Sequence, residues 1–293
     1  MRVGFIGLGS QGAPMARRIV EAGFDTALWA RRPATLAAFA DTAVRRAASP
    51  VELAAASDLV CVCVVDDADV EQVVTGEQGV LTGLRRGGVI AVHSTVHPDT
   101  CRRLAERAQV HGVSVVDAPV SGGGRAAAEG RLLVMTGGET GTVAYCRKVF
   151  ETFGDPVLHM GPLGSGQIAK LLNNLLFTAN LATAADTLAL APEFGIDRGA
   201  LAEAVLHGSG ASFALDRVKS AGGTLDPLAE RAGPLLRKDV RLLADLAESA
   251  DATAGTALAA ADAALDRMGQ GRRTAPQLPL HENGNNLLAS GEH

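Results

Sequence analysis

Short apolar runs punctuate the first half of the chain. Val3–Ile6, Thr26–Trp29, Leu59–Val64, Val89–Val92, Val113–Val116, Leu132–Met135 and Val157–Leu158 are rich in residues that favour strands. The run LVCVCVV, starting at Leu59, shows no polar alternation, as a parallel strand covered on both faces requires. Between the runs the spacing turns helical. Ser49-Pro50-Val51-Glu52 predicts a helix start, with Ser49 as N-cap, Pro50 first in the helix and Glu52 completing a capping box. Pro98 predicts another helix, running to about His111. This alternation predicts α/β architecture with a doubly wound sheet.

After Gly161-Pro162-Leu163-Gly164-Ser165-Gly166 the strand signal nearly stops. One long helix is predicted from about Ser165 to about Ala191. Others are predicted near 198–207, 211–220, 233–250 and 254–268. The chain therefore divides into an α/β domain over 1–163 and an all-helical domain over 164–293. Pro276, Pro279 and nearby Asn and Gly give the stretch after Gly269 the character of a loose tail.

Composition narrows the functions. A chain of 293 residues, 47% hydrophobic and 20% charged, suits about two globular domains. A net charge of −5 and only 3% aromatics provide neither a basic footprint nor stacking platforms, so no nucleic-acid partner is expected. No membrane partner is expected either: the longest apolar stretch, Leu171–Leu190, is broken by Asn173, Asn174, Asn180 and Asp186. The opening MRVGFIGLGSQG runs straight into glycines, unlike a signal peptide. Cys61, Cys63, Cys101 and Cys146 show no CxxC or zinc spacing and read as reduced thiols, so a cytoplasmic protein is expected. His93 and His97 lack a third ligand, and Asp66-Asp67-Ala68-Asp69 reads as a helix N-terminus, so no metal is expected. Ser94, Ser121 and Ser165 lack a nucleophile elbow, which disfavours a serine hydrolase.

The strongest chemical signal is Gly7-Leu8-Gly9-Ser10-Gln11-Gly12, a GxGxxG loop between the first strand and the first helix. Gly7 permits the tight turn, Gly9 admits a pyrophosphate, and Gly12 lets helix and strand pack closely. The second strand ends Leu28-Trp29-Ala30-Arg31-Arg32, without the acid that holds the ribose hydroxyls of NAD. Two guanidiniums there suit a 2′-phosphate, so NADP(H) is the preferred cofactor and NAD(H) the second choice.

Four stretches together resemble the β-hydroxyacid dehydrogenase family over about residues 1–270. They are Gly7–Met15, Asp117–Gly123, Gly164–Asn174 and Lys238-Asp239. The family includes 3-hydroxyisobutyrate dehydrogenases, tartronate semialdehyde reductases and, more distantly, 6-phosphogluconate dehydrogenase. The resemblance implies a Rossmann-type domain followed by an all-α domain built on a long interdomain helix. It also implies a homodimer or homotetramer through the helical domains. By position, Lys170 matches the catalytic lysine and Asn174 its substrate-amide partner. Ser121, Gly122 and Gly123 match the carboxylate-binding loop, with Asp239 beside the substrate. The cofactor set is Gly7, Leu8, Gly9, Gln11, Gly12, Arg31, Arg32, Val65, Thr95 and Lys238. The chain departs from the family pattern at Gln11, Arg18, His93 (near the cofactor), Asp186 and Arg272-Arg273-Thr274.

The residues also carry this chemistry by themselves. Lys170 and Asn174, four apart, share one helical face at the start of the second domain. An ammonium there protonates the alkoxide left by hydride transfer, and the neutral amine reverses the step. Burial and the charge of an oxidised nicotinamide lower the lysine's pKa. By itself Ser121-Gly122-Gly123 reads equally as a flexible connection and as an anion-binding nest; the resemblance favours a nest for a substrate carboxylate. Arg125 has two readings, a supplement to that nest and a solvated charge. The expected reaction is hydride transfer between NADP(H) and a small 3-hydroxy acid, such as 3-hydroxyisobutyrate, glycerate, 3-hydroxypropionate or serine. Selectivity would come from the pocket around Asn174, Phe213 and Asp239. Imine reduction is one alternative, but relatives that perform it usually carry Asp or Tyr in place of Lys170. A catalytically silent dinucleotide-binding module is the other, and such relatives lose the lysine.

Overall fold

The computed structural model describes residues 1–272. The predicted tail at Pro276 and Pro279, and the departures at Arg273 and Thr274, lie outside them. The strands are β1 Arg2–Ile6, β2 Asp25–Trp29, β3 Arg45–Arg46, β4 Leu59–Val62, β5 Val89–Val92, β6 Ser114–Asp117, β7 Val120–Ser121, β8 Leu132–Gly137 and β9 Gly154–Gly161. They form one sheet in the order β3-β2-β1-β4-β5-β6-β8-β7, with β9 paired to β8. Pairing is parallel from β3 through β6, and β8 runs antiparallel to both β6 and β7. The winding reverses between β1 and β4, and in open α/β sheets the crevice at the strand ends there receives the ligand.

The unbroken apolar runs are explained by burial on two sides. Along β4, Leu59 and Cys61 join a core with Phe5 and Phe150, while Val60 and Val62 join another with Leu53 and Ile90. Seven helices cover the faces: α1 Gly12–Glu21, α2 Pro50–Ala55, α3 Asp67–Thr75, α4 Val80–Gly83, α5 Pro98–Val110, α6 Gly123–Ala128 and α7 Thr140–Phe150. Met15 and Ile19 of α1, Ala127 of α6 and Val143 of α7 pack on the first face. Leu53 of α2, Val70 of α3, Leu81 of α4 and Leu104 of α5 pack on the second. Ser49 caps α2 by accepting the Glu52 N–H at 3.3 Å, but the Glu52 carboxylate reaches one residue further back, to the Ala48 N–H at 2.8 Å.

The helical half contains α8 Ser165–Leu190, α9 Arg198–Leu206, α10 Phe213–Ser220, α11 Asp226–Ser249 and α12 Gly255–Arg267. The 26 residues of α8 span roughly 39 Å at 1.5 Å per residue. Leu171, Leu175 and Leu188 of α8 meet Leu215, Val240 and Leu265 in a third core. Small residues at the contacts, such as Ala182, Ala214 and Ala261, let the helices approach closely. By length and mean hydropathy of 1.2 this helix would pass for a membrane span, yet half of the window is buried inside the protein. Asp186 of α8 pairs with Arg267 of α12.

Candidate active site

The glycine loop shows what each glycine contributes. Gly7 has φ +96°, and a Cβ there would stand 2.0 Å from the Cys63 carbonyl oxygen. A Cβ on Gly12 would stand 2.0 Å from the Gly7 carbonyl oxygen. A Cβ on Gly9 meets nothing within 4 Å, because this glycine borders open space. That space belongs to a cleft of about 1380 Å³ that runs from the β2 end, over the glycine loop, to the helical domain. A backbone cradle at a helix start, open toward a cavity, fits a pyrophosphate.

Every residue of the expected catalytic, substrate and cofactor sets lines this cleft, whereas Arg125 does not. At its outer end Arg31 is 73% exposed and donates to Asp69 of α3 at 2.9 Å, with Arg32 and Thr35 alongside. The strand end lacks an acid in sequence, but the fold brings one to it from a different element. Val65 is exposed just after β4, and Gln11 lies at the N-cap of α1 without capping it.

At the inner end the helix start of α8 is fixed from the sheet. Asp117, at the end of β6, is fully buried and accepts the Gly164 N–H at 2.7 Å and the Gln167 N–H at 2.8 Å. Burial pushes its pKa up, and these backbone donors oppose the shift. Gln167, also fully buried, accepts the Val96 N–H at 3.1 Å and donates to the Ser94 carbonyl at 2.8 Å. Ser94 Oγ accepts the Val64 N–H at 2.8 Å. The loop carrying Thr95 is thus locked to both β4 and α8.

One turn beyond Gln167, Lys170 is 8% exposed, as is Asn174. Burial lowers the Lys170 pKa to about 8; Lys238 adds to the shift and Asp239 opposes it. Asn174 Nδ2 donates to Asp239 Oδ2 at 2.6 Å. Lys238 Nζ donates to the Thr95 carbonyl and lies 3.0 Å from Asp239 Oδ1, without the alignment of a hydrogen bond. Asn173 Nδ2 lies 3.4 Å from Ser121 Oγ, so α8 also touches the Ser121-Gly122-Gly123 loop. Gly122 and Gly123 hold positive φ values of 132° and 75°. The arrangement offers a proton donor of lowered pKa, an amide held by a carboxylate, and a glycine-rich loop facing them. It suits acid–base chemistry on a small polar substrate beside a dinucleotide.

Three residues in or near these motifs take other places. His93 stacks parallel to Phe5 and edge-on to Phe150 and Phe153, with Nδ1 2.7 Å from the Ala118 carbonyl oxygen. Burial lowers its pKa to about 4. Although it borders the cleft, its ring is a core ring. Arg125 is 86% exposed and pairs with Glu129 at 3.0 Å, which favours the solvated reading. Asp66 caps α3 by accepting the Asp69 N–H at 2.9 Å, and no metal-binding cluster occurs among the described residues. Asp117, Gln167, Asn173 and Asp69 were not singled out from sequence as functional residues. For Gln167 a signal existed, its position three residues before Lys170 on one helical face.

The chain is similar to known dehydrogenases in sequence and fold. Residues 2–161 match the model of the NAD binding domain of 6-phosphogluconate dehydrogenase. Residues 164–275 match the model described as NAD-binding of NADP-dependent 3-hydroxyisobutyrate dehydrogenase. An uncharacterized oxidoreductase of Mycobacterium tuberculosis is 36% identical, over 84% of this chain and 86% of its own. The 3-hydroxyisobutyrate dehydrogenase of Pseudomonas aeruginosa is 32% identical, over 73% of this chain and 72% of its own. A crystal structure of 3-hydroxyisobutyrate dehydrogenase from Salmonella typhimurium superposes with a TM-score of 0.81 at 28% identity, covering 93% of this chain and 96% of that one.

Proposed function

The chain belongs to the β-hydroxyacid dehydrogenase family, among the 3-hydroxyisobutyrate dehydrogenase-like NAD(P)-dependent oxidoreductases, and from that premise we propose that it interconverts a small 3-hydroxy acid and its 3-oxo acid or semialdehyde, with Lys170 as general acid and base. The observation that carries this reading is the buried Lys170, its pKa lowered to about 8, in the same cleft as the open Gly9 cradle.

Bound NADP(H) supplies or accepts the hydride at the substrate carbon. The protein moves the proton. In reduction, Lys170 Nζ donates it to the new alkoxide oxygen; in oxidation, the neutral amine takes it from the hydroxyl. Asp239 accepts one Asn174 N–H and Asn173 Nδ2 donates to Asn174 Oδ1 at 3.1 Å, leaving the second N–H of Asn174 and one lone pair of its oxygen for the substrate. Ser121, Gly122 and Gly123 hold the substrate carboxylate. Lys238, bonded to the Thr95 carbonyl, ties the helical domain to the cofactor side of the cleft.

NADP(H) is the preferred cofactor on the strength of Arg31 and Arg32, and Asp69 tempers that preference by occupying Arg31. The proposed assembly is a homodimer or homotetramer through the helical domain. Its support is the exposed apolar group Leu190, Phe194 and Ile196 at the far end of α8.

The test is absorbance change with NADP⁺ and NAD⁺ on a panel of small 3-hydroxy acids at mildly alkaline pH. Turnover of 3-hydroxy acids, faster with NADP⁺, is expected. Absence of turnover on the whole panel, with NADPH still bound, would contradict the reading.

A further inference from the structure

The helical side of the cleft carries more positive charge than one substrate carboxylate requires. Lys170, Lys238, Arg217 and Arg231 line it from that side, against one carboxylate, Asp239. The two lysines are accounted for: Lys238 is held by Asp239 and the Thr95 carbonyl, and the reading proposed above gives Lys170 to the reacting oxygen. The two arginines are not. Neither occurs in the ion pairs formed among the described residues, although Arg241 and Arg267 of the same helical half do.

Their surroundings are specific. The Arg217 guanidinium carbon lies 4.7 Å from the centroid of the Phe213 ring, which lies 5.8 Å from that of Phe177 on α8. This row leads from α8 to α10, and Phe213 stays 56% exposed. Leu235 of α11 is also half-exposed and lines the same cleft. Arg231 precedes Lys238 by two turns of α11, roughly 10 Å of axial rise. Half-exposed apolar side chains and two cations without counter-ions among the described residues thus line the helical side of the cleft together with Lys170. A cleft lined by one sign of charge concentrates ligands of the other. Guanidinium groups suit carboxylate and phosphate-type anions, which they grip with two parallel hydrogen bonds.

We infer that the substrate is a dianion: a 3-hydroxy acid whose second substituent runs along Phe177, Phe213 and Leu235 and ends in an anionic group recognised by Arg231 and Arg217. The inference rests on the dehydrogenase reading above and narrows its substrate class. The terminal group is a carboxylate or a phosphate-type anion, which share this chemistry.

The experiment compares 3-hydroxy acids matched in chain length that end in a methyl, a carboxylate or a phosphonate. Either anionic series is expected to exceed the methyl series in kcat/KM by about tenfold or more, as a charge-assisted contact commonly contributes. The order of the two anionic series identifies the terminal group. Arg231→Gln and Arg217→Gln are expected to reduce that ratio, and Arg231→Lys to restore part of it. In the unaltered protein, a saturated diacid without the hydroxyl is expected to inhibit more tightly than the matched monoacid. Equal or better turnover of the methyl series, or a ratio unmoved by Arg231→Gln, would overturn the inference while leaving the dehydrogenase reading intact. No turnover with any series, despite bound NADPH, would overturn both.

Discussion

At the scale of single residues the site depends on charges held by neighbours from other elements. The Arg31–Asp69 pair is an example. A 2′-phosphate approaching Arg31 meets a carboxylate already on it, whereas a ribose hydroxyl finds in that carboxylate an acceptor. Asp69→Asn is therefore expected to raise the ratio of kcat/KM for NADPH over NADH by roughly two- to fivefold, the equivalent of the ~0.5–1 kcal/mol of an exposed pair. Steady-state assays with both cofactors check this; an unchanged or smaller ratio would show that Asp69 takes no part. The absence of an acid at the end of β2 was legible in the sequence. Its replacement from α3 was not, because residues 38 apart meet only through the sheet order. That Lys170 and Asn174 share one helical face was legible from their spacing, and both line the cleft. The depth of the lysine's burial depends on packing that no spacing encodes.

At the scale of elements, the junction between β6 and α8 sets the candidate site. Asp117 occupies the N-terminus of α8, where exposed N–H groups and the helix dipole favour a carboxylate. That contact fixes where the helix starts, and so where Lys170 and Asn174 point. Asp117→Ala leaves two buried N–H groups without an acceptor, at ~1–3 kcal/mol each. A drop in melting temperature is expected, with a smaller drop for Asp117→Asn, which keeps one acceptor. An unchanged melting temperature for the alanine variant would show that α8 is anchored elsewhere. The main elements were readable where an apolar run or a helical period was sustained, as in β1, β2, β4, β5, β6 and β8, in α5 and in α8. β3 and β7 have two residues each, too few to show a period. β9 passes through Pro156, which an edge strand tolerates. α11 starts at Asp226 rather than near 233 because Asp226-Pro227 supplies its first turn; the helix then continues through Pro234.

At the scale of the whole molecule, the two halves line one cleft. The sheet presents the glycine loop and the Ser121 loop, and α8 brings the buried Lys170 to the same cleft. Lys238 and Gln167 cross the gap and hold the halves in register. The central claim is that Lys170 moves the proton. The pH dependence of hydroxy-acid oxidation tests it most directly, measured for the unaltered protein and for Lys170→Ala. The Lys170 pKa is lowered to about 8, so the amine that accepts the proton accumulates as pH rises through that value. The expected kcat/KM therefore climbs below about pH 8 and levels above it. Lys170→Ala is expected to lose this inflection and about 10²–10⁴-fold in kcat while still binding NADPH. The same profile and near-normal turnover in Lys170→Ala would contradict the account.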